Sequence, residues 1–100
     1  MAAPRQFDLV RIGGKPSVVL HDDMHEGLGS RIVSPLVPIR EARHQPKGLC
    51  PVVTIEGEPL AVLLPSMAAV PSGALSPPFG ALAEQRDLLV RGLDLLFAGV

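Results

Sequence analysis

Three stretches carry side chains able to do chemistry. The first is His21-Asp22-Asp23-Met24-His25-Glu26. On a helix, His21 and His25 would share one face and could hold one metal ion between them. That requires a helix, and Asp22 and Asp23 are poor helix formers, with Gly27 and Gly29 close behind. A solvated acidic loop is the simpler reading, and neither a metal nor another cofactor is expected. The second is the basic set Arg31, Arg40, Arg43, His44 and Lys47. Gathered into a cleft with a general acid or base, these residues could activate a ribose 2′-hydroxyl and cleave RNA. No spacing rule selects them, and ordinary surface charge around two loops explains them. The third is Cys50, the sole cysteine. A thiol nucleophile needs a base, for which His44 is the nearest histidine in sequence. A structural thiol ahead of Pro51 explains it more simply. Gly13-Gly14 lacks the spacing of a phosphate loop and reads as a turn.

Composition narrows the classes. The chain has 100 residues, 47% of them hydrophobic, with a net charge of −1. That suits one folded domain over residues 1–100 and makes no electrostatic case for direct nucleic-acid binding. A single cysteine allows no intrachain disulfide and no cysteine-based zinc cage. The start lacks a basic-then-apolar secretory pattern, and no apolar run approaches the ~18 residues of a membrane span. A cytoplasmic protein without a membrane role is expected. Three Phe and no Trp or Tyr leave few stacking platforms for single strands.

The elements that must position these residues are short, because 11 prolines divide the chain. Gln6 to Ile12 and Ser17 to Leu20 read as a hairpin closed by Gly13-Gly14-Lys15-Pro16. His21 to Gly29 is a polar loop. Arg31 to Leu36 reads as a strand that Pro35 and Pro38 restrict to an edge or a bulge. Arg40 to Gly48 is a second polar loop. Pro51 to Ile55 is a β-branched strand, Glu56-Gly57 a turn, and Leu60 to Leu64 the return. Met67 to Val70 and Leu75 are short apolar patches between prolines that read as a bent strand and its exit loop, with Met67 and Val70 suited to a core or an interface.

From Ala81 the period changes. Leu82, Leu89, Leu93 and Leu96 recur at helical spacing, which predicts a helix from about Ala81 to Phe97. Gly92 inside it costs ~1 kcal/mol relative to Ala and so marks a close backbone contact. Gly99 stands where a helix-ending glycine belongs. The chain is therefore mainly β with one C-terminal α-helix packed on or beside a sheet.

Five segments in register resemble a known family: Gln6–Val10 (QFDLV), Gly29–Leu36 (GSRIVSPL), Leu49–Glu58 (LCPVVTIEGE), Met67–Pro71 (MAAVP) and Leu95–Val100 (LLFAGV). Together they look like a CcdB-type toxin of bacterial toxin–antitoxin systems. The resemblance implies an SH3-like barrel relative: a twisted antiparallel sheet, a small second sheet and one C-terminal helix, assembled as a homodimer. It implies a toxin that is not an enzyme. Such a toxin, linked to plasmid maintenance, binds the DNA gyrase A subunit and traps the cleavage complex. A cognate antitoxin neutralises it, and operator DNA is bound only through the toxin–antitoxin complex, giving operon autorepression. The family's target-binding tip is Trp, Gly and Ile, and the matching positions are Ala98, Gly99 and Val100. Gly99 is kept, Val100 is a close substitute, and Ala98 departs from the pattern. That departure leaves two alternatives: a non-toxic or retargeted homologue acting as a dimeric interaction module, and a MazF-like RNA endonuclease on the shared barrel.

Overall fold

The computed structural model describes residues 4–20, 29–46 and 48–99. Its first hairpin joins β1 (Asp8–Ile12) to β2 (Lys15–Val19), with Ile12 opposite Lys15. Only Gly13 and Gly14 lie between them, at φ 59° and 81°. Two positive φ values give the turn whose twist matches that of the flanking strands. The second strand thus starts two residues before the predicted Ser17. The second hairpin, β4 (Val52–Ile55) and β5 (Glu58–Val62), repeats this, with Glu56 and Gly57 at φ 51° and 82°. Here too the return strand begins two residues early, at Glu58.

β3 (Ser30–Pro38) overturns the edge-strand expectation. It is central, pairing with β2, with β5 and with β6 (Ala68–Pro71). The reason lies in where the missing proline N–H groups point. Along one edge of β3, β6 pairs with Ser30 to Val33 and β5 with Leu36 to Pro38. Pro35 falls in the seam between them, where its carbonyl still accepts from the Leu63 N–H at 3.0 Å. Alternation turns Pro38 to the opposite edge, beyond the last β2 pair, Ser17 with Pro35. Neither proline removes a ladder bond, so both are tolerated in a central strand.

A two-residue strand, β7 (Gly80–Ala81), pairs with β1. The strand order is β4-β5-β3-β2-β1-β7, with β6 beside β3, and the sheet curls into an antiparallel half-barrel. β4, β5 and the last third of β3 make its small second sheet.

The helix, α1 (Arg86–Ala98), starts later than its periodicity suggests. Phe79 and Leu82 donate their N–H groups to Leu9 and Phe7 carbonyls at 2.9 and 2.7 Å. This part of the chain is thereby held at the sheet edge, and one 3-10 turn, Ala83–Gln85, separates it from α1. Leu89 is buried, and Val90, Leu93 and Leu96 pack on a core that includes Phe7, Leu9, Val18, Leu64 and Leu82. Gly92 is a close contact, as its position in the helix implies. A Cβ there would lie 2.6 Å from Leu64 Cδ1 and 3.4 Å from the Gly48 carbonyl oxygen. Phe7 itself has φ 66°, a rare conformation for an aromatic residue. It is held from both sides: its N–H reaches the Val19 carbonyl at 2.7 Å, and its own carbonyl accepts from Leu82. Val10, Val19 and Val33 form a second cluster on the other face of the sheet.

Candidate functional site

The end of α1 is built to project. Its inner face is fixed by Leu89 and Gly92 against Leu64. Its last turn carries Phe97 and Ala98 outward, both exposed. Gly99 then adopts φ 73° and ψ 18°, and its N–H closes on the Leu95 carbonyl at 3.1 Å. That left-handed cap ends the helix sharply. Val100, the last residue of the expected tip, lies outside the described residues.

Phe97 is 73% exposed, far more than any other large apolar side chain described. It forms one wall of an open hollow of about 230 Å³, whose other walls are Leu20, Ile32, Met67 and Leu93. The hollow is almost wholly apolar. Sequence reasoning placed Leu93 and Met67 on core or interface surfaces but did not join them to Leu20 and Ile32. The only signal available was strand alternation, which puts Ile32 on the same face as Leu36.

The other candidates do not assemble. His21, Asp22, Asp23, His25 and Glu26 lie outside the described residues, and so does Lys47. Among the described residues no group of three or more His, Cys, Asp or Glu is placed to hold a metal ion. The basic set is split along β3. Arg31 is 3% exposed at one end, and its Nη1 donates to the Pro4 carbonyl at 2.7 Å. Arg40, Arg43 and His44 are exposed beyond the other end, past the roughly 23 Å of strand that the seven steps from Arg31 to Pro38 span at ~3.3 Å per residue. The cleft that RNA cleavage would need is therefore not formed by these residues. Cys50 is half-buried beside Arg43, Gln45 and Gly48. Burial pushes its thiol pKa up, the opposite of what an activated nucleophile needs. A structural role fits.

With the half-barrel, its single C-terminal helix and the projecting tip in view, the comparison with protein families is decisive. The CcdB protein family model matches residues 14–99. The chain belongs to the CcdB family. No curated protein matches it closely enough to count as a relative. Membership makes it a toxin-type component of a toxin–antitoxin system, in a family of non-enzymatic gyrase poisons with antitoxin partners. The CcdB match runs through β2, both sheets and α1, and includes Ala98 and Gly99. Among the described residues, no helix of this CcdB-family chain is long and apolar enough to cross a membrane.

Proposed function

We propose that this chain is a cytoplasmic, dimeric gyrase-directed toxin that presents Ala98, Gly99 and Val100 to the gyrase A subunit. A cognate antitoxin neutralises it and joins it in a complex that binds operator DNA and represses their operon. The observation that carries this reading is the exposed, glycine-capped end of α1 in a chain that matches the CcdB family over residues 14–99. A helix anchored at Leu89 and Gly92 holds Ala98 and Gly99 in place before docking, which lowers the entropic cost of docking.

Ala98 favours a second reading, a homologue that keeps the dimer and the antitoxin but grips gyrase weakly or grips another protein. An aromatic ring at such a tip can stack on a partner's cation and act as a hot spot. Its loss typically costs at least ~2 kcal/mol, about 30-fold in affinity. One assay separates the two. Purified protein is added to gyrase, relaxed plasmid and ATP, and linear DNA is scored. Linear product from the wild-type chain supports the toxin reading. Linear product only after Ala98→Trp supports a homologue whose hot spot alone was lost. Undisturbed supercoiling with both proteins at high concentration rules out gyrase as the target.

A further inference from the structure

The curled sheet does not close. Its two end strands, β4 and β7, face each other across a slot of about 270 Å³, walled by Thr54, Ile55 and Glu56 on one side and Phe79 to Leu82 on the other. A second hollow of about 320 Å³, with Arg11 and Glu58 in its walls, shares Ile55, Glu56 and Phe79 with the slot and extends it.

Among the described residues, both strand edges are open toward this slot. Pro51 accepts from the Val62 N–H at 2.9 Å, so Pro51 and Val53 face β5. Alternation turns the N–H and C=O of Thr54 outward. On the other side the Leu82 N–H reaches the Phe7 carbonyl, so Ala81, one residue earlier, turns its own groups away from β1. Thr54 and Ala81 are both exposed. Open edges of this kind are templates for an added strand.

The charge of the walls selects the occupant. Among the described residues, Glu56, Glu58 and Glu84 line the combined hollow, against one cation, Arg11, which lies over the Phe79 ring at 4.3 Å from its centroid. Phosphates would be repelled. The lining is more polar than apolar, and Leu9, Leu82 and Ile55 make up the apolar part of its floor. We propose that the slot between β4 and β7 receives an extended segment of a partner protein, alternating apolar and Lys or Arg residues, which pairs with both open edges as an added strand. Apolar side chains enter the floor and the basic ones meet the glutamates at the rim. The hollow beside Phe97 shares no residue with this slot, so the site is independent of the gyrase reading.

The test uses the full-length, isotope-labelled protein and two short synthetic peptides, one alternating Val and Lys, the other Val and Glu. The Val/Lys peptide is expected to slow hydrogen exchange at the Thr54 and Ala81 amides by at least about tenfold, and the Val/Glu peptide to leave them unchanged. A Glu56→Lys, Glu84→Lys double variant is expected to bind the Val/Lys peptide at least about tenfold more weakly, with unchanged thermal stability. Equal binding of both peptides, protection centred on Leu93 to Phe97, or no protection at Thr54 and Ala81 would each overturn the proposal. The exchange measurement on the unmodified protein decides the matter even if the double variant fails to fold.

Discussion

At the scale of single residues, two positions trade local strain for packing or position. Gly92 sits in the middle of a helix, where alanine is intrinsically better by ~1 kcal/mol. Its absent Cβ is nevertheless required, because Leu64 is fully buried and its Cδ1 has no room to retreat from 2.6 Å. Overpacking of this kind costs ~1–3 kcal/mol. Gly92→Ala should therefore destabilise the fold by about 1 kcal/mol net in urea denaturation; a more stable variant would mean that the contact is slack. Glu56 is the converse. It occupies a left-handed turn position at φ 51° with a side chain that gains nothing there from the backbone. Asparagine tolerates that conformation, so Glu56→Asn should raise stability by ~0.5–1 kcal/mol. Cys50 gives a prediction in pH. Its thiol pKa is raised by burial, and only the thiolate reacts. Its reaction with a disulfide reagent should be slower at neutral pH than that of the unfolded chain, and should accelerate at a higher pH. The sign for stability follows: the unfolded thiol ionises first, so this group's contribution is lost as pH rises through the thiol range.

At the scale of elements, the tip depends on how α1 stops. Gly99 at φ 73° closes the last turn through the Leu95 carbonyl. A Cβ in that conformation costs ~1–2 kcal/mol. Gly99→Ala should fray the last turn, seen as lost protection of the position-99 amide, while core amides such as Leu89 keep theirs. The same level shows what the sequence made legible. Both hairpins were readable from alternation and turn residues. Their return strands start two residues earlier than alternation suggests, because Lys15 and Glu58, the first residues after each turn, are charged and read as loop. The centrality of β3 is not readable: two prolines argue against it unless one knows that β6 pairs with β3 only as far as Val33 and β5 only from Leu36 onward. The start of α1 was misplaced for a similar reason, since bonds to Phe7 and Leu9 hold the preceding residues at the sheet edge from far away in sequence. Gly99 is legible as the glycine that ends the helix, but its part in a target-binding tip, and Ala98 altogether, are legible only through family resemblance. The apolar hollow was hidden because its walls come from residues 20, 32, 67 and 93.

At the scale of the whole molecule, a ring and a socket lie side by side. Phe97 projects at 73% exposure, and the hollow of Leu20, Ile32, Met67 and Leu93 opens next to it. A two-fold axis placed between ring and socket would bring each ring to the other copy's socket, and an isologous contact makes every residue's contribution twice. Such a contact would serve the proposed dimer. Fully burying a phenylalanine side chain is worth ~1.5–3 kcal/mol, so the symmetric pair supplies ~3–6 kcal/mol. The unmodified chain should run at twice its own mass in light scattering at micromolar concentration. Phe97→Asp removes both rings and sets two charges against apolar walls. It should weaken the dimer by about 10²–10⁴-fold, leaving a monomer at the same concentration. The variant should keep its thermal stability when compared as a monomer, since Phe97 contributes little to its own chain's core. A dimer that survives Phe97→Asp would place the two-fold interface elsewhere and leave Phe97 free for a different protein, next to Ala98 and on the same turn of α1.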